Sequence, residues 1–135
     1  MYTTSAVKNK SNAACGGVGL ILNQDAQELM TSIEKLNDRI LIATFAGNSK
    51  KTVIVVYSPV ERDDEENRQL FYDDLSMATK TVPKHTFLIV MGDFNAHMGL
   101  EDGFKYAYHT KTNKNGQLLT NFILEQILII TNTKS

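Results

Sequence analysis

The stretch of sequence that decides the fold is residues 87–99, FLIVMGDFNAHMG. Its apolar run at 88–91 predicts a buried strand, which stops at Gly92 and is followed directly by Asp93 and then by Asn95. In open α/β sheets, ligands bind beyond the carboxyl ends of the strands. A carboxylate delivered to that edge therefore predicts a functional site in an α/β protein.

The residues before this stretch predict a β–α–β unit. Residues 52–57 contain a continuous run of β-branched residues, as in a strand that is buried on both faces. A helix is predicted over about 64–80, because acidic residues in its first turn suit the helix dipole. Its inner face is predicted to consist of Phe71, Leu75 and Ala78. A crossover helix implies parallel strands, so Tyr57 and Asp93 are predicted to emerge at the same end of the sheet.

Further strands are predicted where apolar runs are bounded by turn residues. They lie at 18–22, 39–45 and 127–130. The turn residues at 46–50 predict that the strands at 39–45 and 52–57 form a hairpin.

The remaining segments give more varied signals. Asn115 is predicted to cap a helix over 116–126. The segment 24–36 is ambiguous, because its apolar residues have helical spacing although the run is short. Residues 1–14 are polar and are predicted to be frayed or edge-forming, and 100–114 are predicted to be a loop.

Composition places the chain among globular domains. A length of 135 residues suits one domain, and a net charge of −1 provides no global basic field. Cys15 is the single cysteine, which excludes an internal disulfide and favours a small buried thiol in a reducing, intracellular compartment. We expect no membrane association, because no apolar stretch reaches transmembrane length and the N-terminus has no signal-peptide core.

Three sequence blocks resemble motifs of the endonuclease/exonuclease/phosphatase superfamily. They are VYSP at 56–59, GDFNA at 92–96, and NKNGQLL at 113–119 with Phe122, followed by ITNT at 130–133. The chain most resembles the apurinic-endonuclease-like domain of non-LTR retrotransposons. Craniofacial-development-protein-2-like sequences look similar as well. The resemblance runs from about Gly16 to Thr133.

The resemblance implies an α/β fold, specifically a partial two-sheet α/β sandwich that forms a single incomplete domain over 1–135. It favours an extended conformation for 24–36. The family begins with a strand that ends in Asn and a strand that ends in a metal-binding Glu, and neither precedes Gly16. The family also ends with a Ser/Thr-Asp-His block, and the chain stops at Ser135 before any such block. We therefore expect a domain that is truncated at both ends.

The resemblance further implies hydrolysis of DNA phosphodiesters with Mg²⁺ or Mn²⁺. Asp93 is expected to orient or deprotonate the attacking water, and it is the one candidate metal ligand, because the principal Glu ligand is missing. Asn95 is expected to hold Asp93 or a phosphate oxygen, and Tyr57 to donate its phenol to the phosphate. The structural alternatives are an Asx turn at Asp93, a turn residue at Asn95 and a sheet-edge aromatic at Tyr57.

Substrate contacts are expected from His97, Asn113 and Asn115. His97 is expected to face DNA or to be merely solvated, since a lone histidine in a loop is a weak metal signal. His85 and His109 have no ligand spacing to a partner. For Asn115, a helix cap is the stronger interpretation.

The leading functional hypothesis is a DNA-nicking endonuclease of retrotransposon origin, weak or inactive as this fragment, acting in the nucleus. The alternative is a non-catalytic relic that binds nucleic acid or a protein. A phosphomonoesterase or lipid-phosphate hydrolase of the same superfamily is the third possibility. Because missing strands would expose sheet edges, we also expect self-association or marginal stability.

Overall fold

A computed structural model describes residues 2–3, 7–8, 14–15, 17–105 and 107–131. They group into two compact units. The first unit contains the described residues up to Tyr57 together with Lys80–Gly92, and the second contains Ser58–Thr79 and the described residues from Asp93 onward. The described residues do not include most of the segment 1–14, the side chain of Cys15, or residues 132–133 of the ITNT block.

Two short ribbons precede the main sheet of the first unit. Strand β1 (Tyr2–Thr3) pairs antiparallel with β4 (Gly19–Leu20), and β2 (Val7–Lys8) pairs antiparallel with β3 (Ala14–Cys15). The strand predicted at 18–22 is therefore present in a shorter form.

The main sheet has four strands in the order β5-β6-β7-β8. Their bounds are Met30–Lys35, Ile40–Phe45, Lys51–Tyr57 and Phe87–Asp93. Strands β5, β6 and β7 are antiparallel neighbours, and the pairing of Ile40 with Val56 confirms the predicted hairpin. The sheet is therefore of mixed type, with its fourth strand added after a helix.

Strand β8 runs parallel to β7. The amide of Phe87 donates to the Lys50 carbonyl at 2.9 Å at the start of the strand, and the Ser58 amide donates to the Asp93 carbonyl at 2.8 Å at its end. Helix α2 (Glu65–Thr81) provides the connection. The predicted β–α–β crossover is confirmed.

The prediction that residues 88–91 form a buried strand is right about the strand and wrong about its burial. Phe87, Ile89 and Met91 are 61%, 36% and 49% exposed, whereas Leu88 and Val90 are half-buried. Strand β8 lies at the edge of the sheet, and only one of its faces is covered. An apolar run therefore marks the strand correctly here without implying burial on both sides. In β7, likewise, alternate residues are buried and the others are only half-buried.

The ambiguous segment 24–36 contains both predicted structures. Helix α1 (Gln24–Leu29) begins at Asn23, whose side chain accepts a hydrogen bond from the Ala26 amide at 2.9 Å. Strand β5 follows at once, where Thr31 and Ile33 add β-branched side chains that favour an extended backbone. The helical spacing correctly predicts the first half of this segment. The second half has the extended conformation that the resemblance favours.

Helices α2 and α3 (Lys114–Gln126) form the core of the second unit. The predicted inner face of α2 is confirmed, since Phe71, Leu75 and Ala78 are all buried. Tyr72 contacts Phe122 of α3 with ring centroids 6.1 Å apart. No helix among the described residues is both long and apolar enough to cross a membrane.

The prediction of a strand at 127–130 is wrong. Ile127 ends α3 in the left-handed region at φ 56°, and its amide donates to the carbonyls of Ile123 and Leu124. Ile127 and Ile129 are 90% and 68% exposed. The isoleucines have strand propensity, but residues 127–130 form no strand. The loop predicted at 100–114 contains a 3₁₀ turn at Leu100–Asp102 and a bridge of His109 to Gly99, and its last residue, Lys114, begins α3.

Candidate functional site

The GDFN motif forms a tight turn at the start of the second unit's loop. The Asn95 amide donates to Asp93 Oδ1 at 2.9 Å, and Asn95 adopts the left-handed conformation at φ 45°. Asparagine tolerates this region better than most residues because its short polar side chain bonds locally. This is the Asx turn that the sequence offered as an alternative for Asp93, and the carboxylate itself stays exposed.

The side chain of Asn95 is committed to the fold. Its Nδ2 donates to the Ser58 carbonyl at 2.8 Å, and its own carbonyl accepts from Asn115 Nδ2 at 3.1 Å and from Asn113 Nδ2 at 3.4 Å. Asn95 thus contacts Asp93 through its backbone and not through its amide side chain. We call Asn95, Asn113 and Asn115 the asparagine cluster.

Asn113, and not Asn115, is the N-cap of α3, so the predicted cap is wrong by two positions. Asn113 Oδ1 accepts from the Gly116 amide at 2.7 Å and from the His97 amide at 3.0 Å. The motif carries an asparagine at both positions, and only the register of the first turn decides which one caps the helix.

Asn115 is fully buried within the first turn of α3. Its Nδ2 donates to the Pro59 carbonyl at 2.9 Å as well as to Asn95, and its Oδ1 has no hydrogen-bond partner among the described residues. The cluster therefore joins three segments that are distant in sequence. Direct substrate contacts by Asn113 and Asn115 stay predictions, and the geometry favours a positioning role for both.

Glu61 occupies the N-terminus of α3. Its Oε1 accepts from the Lys114 amide and its Oε2 from the Asn115 amide, both at 3.0 Å. Helix N-termini favour anions because their first amides are unpaired and the dipole is positive there. The chain's own carboxylate satisfies this end, and no local sequence pattern reveals so distant a contact.

His97 and His109 are partners, although the sequence gives no sign of it. Their rings stack with centroids 3.7 Å apart and planes 11° apart. The Leu100 amide donates to the His109 carbonyl at 2.9 Å, so backbone bonds hold the two histidine segments side by side. His97 is exposed, and its contact with DNA stays a prediction.

Tyr57 ends β7 in the first unit and is half-buried. Its amide donates to the Arg39 carbonyl at 3.0 Å, and its carbonyl accepts from Arg39 Nη1 at 3.1 Å. The Arg39 guanidinium also lies over the ring, 5.4 Å from its centroid. These contacts agree with a sheet-edge aromatic, and a role of the Tyr57 phenol toward phosphate stays a prediction.

The residues present do not fit a tightly held divalent metal. Within the described part of the chain, no three His, Cys, Asp or Glu side chains come together as a metal site requires. Magnesium prefers oxygen ligands in octahedral geometry, and the GDFN turn offers the single carboxylate of Asp93. Binding of Mg²⁺ or Mn²⁺ by this chain stays a prediction.

Buried polar atoms without partners lie in the second unit. Among the described residues they are Arg68 Nε, Tyr72 Oη and Asn115 Oδ1. Burial raises the pKa of the Tyr72 phenol well above its ordinary value, and the nearby Ser58 hydroxyl partly offsets that shift. Ser58 Oγ donates to the Pro59 carbonyl, and Tyr72 Oη has no hydrogen-bond partner among the described residues. An unsatisfied buried group costs about 1–3 kcal/mol.

Replacing Tyr72 with phenylalanine is expected to make the fold more resistant to alkaline pH. The pKa of Tyr72 is higher in the folded state than in the unfolded state. The free energy of unfolding therefore does not depend on this phenol's titration below about pH 10, and it falls as the pH rises further, because the unfolded chain loses the proton first. Urea unfolding at neutral and at alkaline pH measures this loss. The exposed Tyr108→Phe is the matched control, and equal alkaline losses in both variants would contradict the assignment.

Comparisons with known proteins give one relationship. No protein-family model and no solved structure matches the chain. The chain is 32% identical to craniofacial development protein 2 of Bos taurus over 121 residues, which is 87% of this chain and 20% of that protein. It is 31% identical over 121 residues to craniofacial development protein 2 of Tragulus javanicus and spans 21% of it. This chain is therefore homologous to one part of craniofacial development protein 2, as its sequence motifs predicted.

Proposed function

We propose that this chain is a DNA-binding module derived from a divalent-metal-dependent endonuclease of retrotransposon origin, and that by itself it nicks DNA weakly or not at all. One observation carries the proposal. The GDFN block and the NxNG block, far apart in sequence, meet through the hydrogen bonds that Asn113 and Asn115 donate to the Asn95 carbonyl. Such a meeting is expected if both blocks once served one site.

The donor set supports the loss of nicking activity. Phosphodiester hydrolysis needs strong stabilisation of the charge that develops on the phosphoryl oxygens. The exposed carboxylate of Asp93 is available to orient a water, but an anion alone does not stabilise that charge. The side-chain amides of Asn95 and Asn115 are bonded to backbone carbonyls and do not supply donors for that charge.

Exposed cations support DNA binding by the second unit. Lys111 and Lys114 are exposed and follow the histidine pair in the sequence. Each lysine that neutralises a phosphate releases counterions, so two contacts predict a logarithmic salt slope of about −2. The net charge of −1 for the whole chain predicts weak binding overall.

A protein-binding relic is the second candidate, favoured by the edge strand β8. Phe87, Ile89 and Met91 form an exposed apolar row on β8, which is an edge strand of the sheet that the described residues form. Such an edge is a template for pairing with another strand. Self-association through this edge belongs to this proposal, whereas hydrolysis of small phosphate esters and a nuclear location remain expectations from the resemblance alone.

Plasmid nicking and salt-dependent DNA binding test the proposal together. We expect no nicking above background with Mg²⁺ or Mn²⁺, and no difference between the natural chain and Asp93→Ala. We expect weak duplex binding that falls with salt and falls less steeply in Lys111→Ala, with the exposed Lys84→Ala in the first unit as control. Efficient nicking that Asp93→Ala abolishes would refute the weak or inactive module, and binding that does not depend on salt would refute DNA contact.

A further inference from the structure

Three aromatic side chains lie together on the loop of the second unit. Beyond the stacked pair of His97 and His109, the ring of Tyr108 meets His109 edge-on, with centroids 5.4 Å apart and planes 86° apart. Tyr108 is 95% exposed, and His97 is exposed as well. We call these three residues the aromatic platform.

The backbone holds the platform in place. The His97 amide donates to the Asn113 side chain, and the amide of Gly99 donates to Thr112 Oγ1 at 2.9 Å. Gly99 and His109 form a parallel bridge. The rings are therefore presented from two segments that are tied to each other and to the start of α3, so little ordering is needed before a ligand binds.

A large aromatic ring that is almost wholly exposed is costly to leave in water and contributes nothing to the core. Among the described residues, the ring of Tyr108 contacts that of His109 by its edge. Flat aromatic surfaces beside cations are what proteins use to bind single-stranded nucleic acids, because every base has a face that can stack.

We propose that the aromatic platform binds unpaired nucleobases, with one base on Tyr108 and a second on the exposed His97. The inference rests on the proposed function and goes beyond it by naming single-stranded nucleic acid as the preferred form. The shared chemistry is the unpaired base, which both DNA and RNA provide.

The angle within the platform excludes a regular duplex from this contact. The Tyr108 ring stands 86° from the plane of His109, and the His97 ring stacks nearly parallel to His109. Neighbouring bases in a duplex are parallel, so they cannot lie on both surfaces at once. Splayed, unstacked bases can, as in the recognition of single strands and loops.

Charged residues near the aromatic platform set the expected strength of nucleic-acid binding. Lys111 is exposed close to the platform in sequence and suits the phosphates that connect the bases. Glu101 and Asp102 lie on the facing segment, where the Glu101 amide donates to the Thr110 carbonyl and Asp102 Oδ2 accepts from the Thr112 amide. These acids offset the lysines, so stacking and not charge supplies the preference for single strands.

Binding of the full chain to short oligo-dT, oligo-rU and a DNA duplex of equal length tests the proposal. We expect tighter binding to the single strands, and a roughly tenfold loss of that binding in Tyr108→Ala with the duplex affinity unchanged. Tyr108→Phe keeps the ring and should keep the affinity. Phe87→Ala removes an aromatic ring that is 61% exposed in the first unit and is the matched control.

A direct readout comes from Tyr108→Trp. The natural chain has no tryptophan, so the new indole reports from this position alone. We expect both single strands to quench its fluorescence, whereas quenching by only one of them assigns the platform to DNA or to RNA. Equal affinity for single and double strands, or an unchanged affinity in Tyr108→Ala, would overturn the platform and leave the proposed function intact. A chain that binds none of the three nucleic acids would overturn both.

Discussion

Gly92→Ala is expected to unfold the chain or to lower its free energy of unfolding by more than about 3 kcal/mol. Gly92 has a φ of 141°, a conformation that residues with a side chain rarely adopt. A Cβ built there points toward the neighbouring strand β7 and overlaps the backbone carbonyl of Val56. Backbone cannot move aside as a flexible side chain can, so the strand pair itself would have to separate.

Gly47→Ala is the matched control for this substitution. Gly47 has nearly the same φ, 140°, but the nearest atom to its Cβ is the Ser49 carbonyl oxygen at an ordinary 3.8 Å. Alanine at 47 therefore adds only backbone strain, about 1–3 kcal/mol. The difference between the two variants in urea unfolding measures the overlap with β7, and equal losses would show that the parallel strands do not approach as closely as described.

Asn115→Leu is expected to lower the free energy of unfolding by about 2–4 kcal/mol. Leucine fills a similar volume, but it removes the shorter of two hydrogen bonds to the Pro59 carbonyl, which then keeps only the bond from Ser58 Oγ, and one donor from the Asn95 carbonyl. Asn115 is fully buried, and water does not replace a lost donor there without opening the loop.

Asn121→Leu on the exposed side of the same helix separates this loss from helix propensity. A surface change of that kind should stay within about 0.5 kcal/mol of the natural chain. Circular dichroism during urea unfolding gives both values. Similar values for the two variants would mean that the buried amide does not hold the asparagine cluster together.

The β–α–β unit, the hairpin and the inner face of α2 could be predicted because each depends on a short, local pattern. Residues 52–57 have strand composition, the turn at 46–50 is polar, and Phe71, Leu75 and Ala78 repeat at helical spacing. The resemblance added the relationship to craniofacial development protein 2, which composition and periodicity alone do not provide.

The predictions fail where the structure of a segment depends on residues that lie outside its local sequence pattern. Residues 88–91 and 127–130 have the same apolar character, yet the first lie in a strand at the edge of the sheet and the second form no strand. In the candidate site, the contacts of Glu61 with α3 and of His97 with His109 join distant segments. Asn113 and Asn115 lie within one turn of each other, so the sequence alone does not decide which of them caps α3.

The asparagine cluster also bears on how the chain folds during translation. The GDFN turn leaves the ribosome before Asn113 and Asn115, which supply the side-chain bonds to the Asn95 carbonyl. Strands β7 and β8 can pair as soon as both are synthesised, but the turn that follows them gains its fixed shape only once α3 has emerged. A nascent chain arrested before α3 should thus expose a GDFN loop that proteases cleave, and the completed chain should protect it.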